Sequence, residues 1–311
     1  MNKHQAETTS LTTAQMAHFA ARGFVTLTGV VPTSINQQFL GDIGDASPRP
    51  DTPKGHYANI MQASLIPLVA PGTPIAQAYP ADSALHQLLQ VPAVAGAIDS
   101  LVGPDSLLDH HFLHIAFPPH MYPEEAPPLT SQPTHQDSTI DPRQAFDVQL
   151  LYFPHEVTPD MGGTRYIPGS HLRVVSETAV ARYQNIVGQQ HVVCPAGTVV
   201  LFHMGLWHGG GLNRSEQLRY MFKIRLSPTQ RQCRLWCDEP LEKEALRPIF
   251  WTDGQPDEGH LHQILTTPEK WFEQDTGRLE YLNRIRFWRY ISGDENFDAD
   301  YWLSRIENEY T

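Results

Sequence analysis

Cysteines are few, cations are outnumbered and no long apolar run exists, and each shortage removes a class of function. Cys194, Cys233 and Cys237 are the only three cysteines in 311 residues. Their count is odd, and three residues separate Cys233 from Cys237, a spacing that suits neither a redox pair nor half of a usual zinc site. Reduced thiols in a cytoplasmic enzyme fit this usage better than a disulfide framework. Lys+Arg is 22 against Asp+Glu 34, a net charge of −12, so a phosphate backbone is repelled and no nucleic-acid partner is expected. Nothing approaches the roughly 18 apolar residues of a membrane span. The opening Met1–Glu7 has no apolar segment behind Lys3 and does not read as a signal peptide. A cytoplasmic protein with no membrane partner is the expectation. There is no phosphate loop, dinucleotide fingerprint, repeat or low-complexity tract, and Gly169-Ser170 lacks the glycine spacing of a nucleophile elbow. What the chain does have is apolar residues at 41%, enough for a sizeable core, and 16 histidines. Those histidines make metal chemistry worth seeking.

The order of elements is legible from caps, breakers and periodicity. Thr12–Gln15 is a capping box, with Leu11 and Met16 as its staple and Gly23 as the C-terminal stop. Phe24–Leu27 reads as a strand, Thr33 to about Leu40 as a helix, 41–80 as mostly irregular, and Ala84–Leu89 and Pro92–Leu101 as two helices. Leu107–Phe117, Phe146–Phe153, Thr164–Ile167, His191–Cys194, Thr198–His203 and Leu218–Leu226 are short β-branched or aromatic runs bounded by turn residues. Glu269–Glu273, Arg278–Ile291 and Ala299–Glu307 read as helices. Helices, then short strands, then helices predict a mainly β protein, a jelly roll with helices packed outside it. One domain over 1–311 is expected, with a helical part at 1–105, a β core at about 106–226 and an extension at 227–311.

Within the β core, His135-Gln136-Asp137 places an imidazole and a carboxylate two apart, on one side of an extended chain. A second histidine from a distant strand completes a facial set of three, which leaves coordination positions open for the co-substrate and dioxygen of non-haem Fe(II) chemistry. Downstream, Thr198–His203 leads into Trp207-His208-Gly209-Gly210-Gly211, then Asn213, Ser215 and Arg219. A dicarboxylate chelating the iron needs a cation for its far end, and arginine's planar fork suits that task. Both His203 and His208 are candidates for the second imidazole. The Gly-rich turn, Asn213 and Arg219 are in register with His208.

The stretch Thr134–Asp137, the block Met161–His171 and the run Trp207–Arg219 resemble the phytanoyl-CoA dioxygenase family, as does Gln15–Val30. That resemblance implies a double-stranded β-helix of the cupin-like kind and an oxygenase using Fe(II), 2-oxoglutarate and O2. Carried over, His135, Asp137 and His208 correspond to the iron ligands. Arg219, eleven residues after His208 (219 − 208 = 11), corresponds to the 2-oxoglutarate anchor. A carboxylate at Asp137, where related halogenases have a small residue, points to hydroxylation of a small molecule with release of succinate and CO2. Desaturation or cyclisation, a non-catalytic binding module, and a metal-dependent hydrolase or isomerase are the alternatives. The acidic balance disfavours an acyl-CoA substrate.

Other residues have blander readings. His203 is a hydrogen-bonding histidine near the barrel mouth, and His171 a turn residue in Pro168–His171. His111 and His114 face opposite sides of their strand, so they cannot both line one pocket, and the group His110, His111, His114 and His120 reads either as offering one substrate contact or as polar edge positions. Arg278, Arg284, Arg286 and Arg289 read as a solvated, salt-bridged helix face, with Glu280 and Arg284 an i,i+4 pair, rather than a CoA patch. Phe287, Trp288, Tyr290, Trp302 and Leu303 dock the tail. If Arg219 points inward, so do Met221, Lys223 and Arg225, the two later cations reaching the rim, while Tyr220, Phe222 and Ile224 face the helices. Specificity is expected from 41–80, 118–134 and 228–311.

Overall fold

A computed structural model of the protein describes residues 9–44, 66–122, 124, 128–138, 145–173, 177–181, 185–236, 261–271 and 274–297. Helix α1, Thr13–Arg22, starts where its cap directs: the Thr12 side chain accepts from the Gln15 amide at 3.2 Å, and the Thr12 amide donates to Gln15 Oε1 at 2.9 Å. Such a cap contributes about 1 kcal/mol. Gly23 closes the helix at φ 82°, donating to Phe19 O. Strand β1 (Phe24–Leu27), α2 (Thr33–Ile43) and the two-residue β2 (Thr73–Pro74) follow. Next come α3 (Ala84–Leu89) and α4 (Pro92–Leu101), with the bounds their caps predict.

The core strands are β3 (Leu107–Ala116), β4 (Val148–Phe153), β5 (Thr164–Tyr166), β6 (Gln190–His191), β7 (Thr198–His203), β8 (His208–Gly210) and β9 (Arg219–Ser227), with a short α5 (Glu177–Val180) between β5 and β6. They form two antiparallel sheets, β1-β7-β4-β9-β3-β2 and β6-β5-β8. The larger sheet has one face toward the helices and one toward the smaller sheet. Leu150, Leu201, Phe222 and Ile224 pack on the first side with Phe19, Phe39 and the C-terminal helix residue Phe287. Leu151, Phe153, Val200, Phe202 and Met221 pack on the second with Tyr166 and Val192. This is the two-layer jelly-roll arrangement with flanking helices; among the described residues the sheets do not close into a barrel.

Four local readings are corrected. The strand expected at His191–Cys194 is Gln190–His191, and Cys194 instead bridges Val157. The Gly-rich segment after Trp207 is a strand rather than a turn, because β5 and His135 supply partners that glycine backbone can accept. Residues 269–271 are not helical, whereas α6 (Leu261–Thr266) and α7 (Gln274–Ser292) are. The Arg284 side chain is fully buried, donating to the carbonyls of Leu265 and Thr267, so that stretch of the basic face is not solvated. Phe287 and Trp288 are buried as docking residues. The helix expected at Ala299–Glu307, with Trp302 and Leu303, lies outside the described residues, as does Cys237. No helix of the described residues is long and apolar enough to cross a membrane.

Candidate metal centre

His135 and His208 face each other across a two-way backbone bridge, each amide donating to the other's carbonyl at 2.8 Å. Gly209 makes room for the strand that carries His135: a Cβ there would stand 3.0 Å from the carbonyl oxygens of Gln132 and Pro133. Gly162 allows a similar approach in the neighbouring layer, with φ 64° and an added Cβ only 2.1 Å from Leu212 O. The glycines of both motifs are thus backbone-approach positions that draw β5, β8 and the His135 segment together.

Asp137 completes the cluster. Its Oδ1 lies 3.6 Å from His135 Nε2, its Oδ2 lies 3.6 Å from His208 Nε2, and one donor atom from each residue lies within 4.8 Å of the others. Donors bound to one ion at about 2.1 Å sit about 3 Å apart when adjacent, so a small inward movement would bring these three onto a cation. The ring orientations fit as well. His135 Nδ1 is 3.0 Å from Pro133 O and His208 Nδ1 is 2.8 Å from Leu206 O. A carbonyl only accepts, so each Nδ1 carries the proton and each Nε2 directs a lone pair toward Asp137. Two imidazoles and one carboxylate form a donor set suited to Fe(II).

Burial alone would raise the pKa of Asp137, but nearby His208, Lys223 and His135 and a hydrogen bond from Gln149 Nε2 outweigh it and hold the carboxyl at about 2. Burial lowers His208 to about 4, reinforced by His135 and opposed by Asp137. Both directions favour the states a metal requires, an anionic carboxylate at Asp137 and a neutral imidazole at His208.

Arg219 is fully buried at the start of β9, directly opposite Ala116 of β3. Asn213 secures the turn that delivers it: its amide donates to Ala116 O at 2.9 Å and Gln217 O at 2.7 Å, and its Oδ1 accepts from the amide and hydroxyl of Ser215. His114 lies on the same inner face. Burial first, then the charges of Lys223, Arg219 and His208, lower it to about 3. His114 thus feels both Arg219 and His208, and Arg219 opens onto the same interior as the cluster.

The other histidines separate cleanly. His203 points to the helix side of the sheet, where its ring stacks on Phe146 and burial lowers it to about 3; its Nδ1 accepts from the Gly205 amide. His171 is beside it, with Nε2 on Ala20 O. His111, also on the helix side, meets the Tyr79 hydroxyl at 2.6 Å. His155 Nε2 accepts from the Tyr220 amide, and His110 and His120 pair with Asp109 and Glu216.

Two residues of the site escape the motif reading. Gln149 is the single amide in a fully buried strand of Val, Leu, Tyr and Phe, a signal that it has a partner inside. Lys223, expected at the rim, instead has its Nζ 3.7 Å from Asp137 Oδ2, because the strand carries it past the cluster. Arg225 does meet acidic residues, Asp147 and, at 3.5 Å, Asp109.

Residues 76–221 match the family model for phytanoyl-CoA dioxygenase (PhyH). An uncharacterized protein of Mycobacterium tuberculosis (strain ATCC 25618 / H37Rv) is 27% identical over 141 residues, 44% of this chain and 49% of that protein. Dioxygenase trt7 of Aspergillus terreus is 34% identical over 112 residues, 33% of this chain and 38% of that protein. The match thus spans about half the length of the first of these relatives, and less of the second. Among solved structures, HygX from Streptomyces hygroscopicus with nickel, 2-oxoglutarate and hygromycin B bound superposes with a TM-score of 0.51 at 15% identity, over 70% of this chain and 88% of that one. The likeness is one of fold.

Proposed function

The chain belongs, over residues 76–221, to the phytanoyl-CoA dioxygenase family, and from that premise we propose that it is an Fe(II)- and 2-oxoglutarate-dependent dioxygenase. In this reading it hydroxylates an unactivated C–H bond of a small-molecule substrate and releases succinate and CO2. His135, Asp137 and His208 hold the iron, and Arg219 binds the distal carboxylate of 2-oxoglutarate. The observation that carries the reading is the convergence of those three donors within 4.8 Å, with both Nε2 atoms turned inward.

Iron, when bound, supplies activation of dioxygen coupled to decarboxylation of the co-substrate. The chain's own residues do the rest. Pro133 O and Leu206 O hold the two rings in the ligating tautomer. Gln149 holds one oxygen of Asp137 and so limits rotation of the carboxylate. Arg219, shielded from water, presents a planar donor fork whose charge survives burial. The inter-sheet cluster around Phe153, Phe202 and Met221 keeps the interior dry. A carboxylate at Asp137, where related halogenases have a small residue, favours hydroxylation or another oxidation over halogenation.

Succinate formation from 2-oxoglutarate with Fe(II), measured with and without added small molecules, tests this reading. Wild type should form succinate, and Asp137→Ala should not. Arg219→Ala should keep the metal but need at least tens-fold more 2-oxoglutarate, since an unpaired buried charge partner costs about 2–5 kcal/mol. Full turnover by iron-loaded Asp137→Ala would overturn the ligand assignment.

A further inference from the structure

Lys223 is the cation for which this reading has no task. Among the described residues its carboxylate partner is Asp137, at 3.7 Å. Its strand neighbour two residues on, Arg225, is already neutralised by Asp147 and Asp109, and Arg219 is committed to the co-substrate. The charges of the loaded site can be counted. A divalent cation and a dianionic co-substrate cancel, and Arg219 cancels Asp137. Lys223 remains as one positive charge inside a partly desolvated pocket, where an unmatched charge is costly.

The register of β3 against β9 places Phe112 directly opposite Lys223, with the ammonium 5.5 Å from the ring centroid. Phe112 is, among the described residues, one of the few large apolar side chains left open, at 37% exposure, and the Lys223 side chain retains 14%. A point charge next to an open aromatic face, at the level of the metal ligands, is complementary to a molecule with an anionic end and an apolar body.

We propose that Lys223 and Phe112 form the substrate subsite, Lys223 pairing with a carboxylate of the substrate and Phe112 packing against its apolar portion. This rests on the Fe(II)/2-oxoglutarate reading and sharpens it: the substrate class is a free carboxylic acid, because a thioester has no anion at that end. A single residual charge matches a monoanion better than a phosphate dianion.

The test uses full-length protein loaded with Mn(II) and saturated with 2-oxoglutarate. The probes are 3-phenylpropanoate and its neutral isostere 3-phenylpropanamide, and the readout is relaxation of probe protons by Mn(II). Wild type should bind the acid on the order of tenfold more tightly than the amide, the value of one hydrogen bond to a charged group. Lys223→Met should abolish that preference and Lys223→Arg should restore most of it, each variant being measured at its own saturating Mn(II) and 2-oxoglutarate because Lys223 also contacts Asp137. Equal binding of acid and amide, no binding of the acid, displacement of 2-oxoglutarate by it, or a retained preference in Lys223→Met would overturn the subsite. Failure of wild type to bind 2-oxoglutarate would overturn the underlying reading and the subsite with it.

Discussion

Replacing Gln149 by leucine separates a metal-site role from a folding role. Gln149 is fully buried in β4, its Nε2 donates to Asp137 Oδ2, and its Oε1 has no hydrogen-bond partner among the described residues. Leucine is similar in size and removes both atoms. Loss of a hydrogen bond to a carboxylate costs about 1.5–3 kcal/mol, while removing an unsatisfied buried oxygen returns about 1–3 kcal/mol, so the metal-free protein should change by no more than about 2 kcal/mol. Metal binding has no such compensation. Lys223 Nζ still lies 3.7 Å from Asp137 Oδ2, and the Asp137 amide still donates to Met204 O. What is lost is the fixed orientation of the carboxylate. Removing a partner of this kind lowers metal affinity about 10- to 100-fold, and the surviving contacts place Gln149→Leu near the lower figure. Thermal melts of the metal-free protein and a Co(II) titration followed by visible absorbance give the two quantities. Unchanged Co(II) affinity, or a loss of more than about 3 kcal/mol in the metal-free form, would refute this reasoning.

Two further expectations concern the histidines. His208→Ala should lose Co(II) binding, whereas His203→Asn should keep it, since the substituted amide would still offer an acceptor to the Gly205 N–H on the far side of the sheet from Asp137; the reverse result in the same titration would move the ligand role. Burial holds His203 at about 3, below its unfolded value of about 6.5, so below pH 6.5 the unfolded state binds more protons and stability is lost as pH falls, by about 1.4 kcal/mol per pH unit for this group. Urea melts between pH 6.5 and 4 should therefore show a shallower decline for His203→Asn than for wild type by about that slope, and parallel declines would contradict it.

Local signals carry much of the fold. The capping box of α1, Pro92 at the start of α4 and the stops at Gly23 and Gly103 set helix bounds that need no tertiary information. Strands are legible where β-branched and aromatic residues run between turn signals, as in β4 and β7. Elements that depend on a distant partner are not. Strand β8 is His-Gly-Gly, with no β propensity of its own, and exists because β5 and His135 pair with it. Helix α6 is six residues long, and its buried side, Leu261, Ile264 and Leu265, is too short a pattern to register before its packing against the core is known. His171 illustrates the same limit. The sequence shows a turn after Pro168-Gly169, but only the fold brings Gly23 so close that a Cβ there would stand 2.6 Å from His171 Nδ1.

Side-chain alternation decides more about the site than motif matching does. From Arg219, a period of two places Met221, Lys223 and Arg225 on the inner face and Phe222 and Ile224 against the helices, and the packing clusters divide that way. The same parity on β7 puts His203 across from Val148 and on the helix side, together with Leu201 and Val199, whereas Phe202 and Val200 line the inside. Parity alone therefore removes His203 from the interior once β7 is known to pack its odd-numbered residues on helices. What parity cannot give is height along the strand. The sequence puts Lys223 on the correct face but at the wrong level, since the distance between Arg219 and the His135–Asp137–His208 cluster depends on where β8 and the His135 segment cross the larger sheet. That crossing is set by the backbone approaches at Gly162 and Gly209, and it turns an expected rim cation into a neighbour of Asp137.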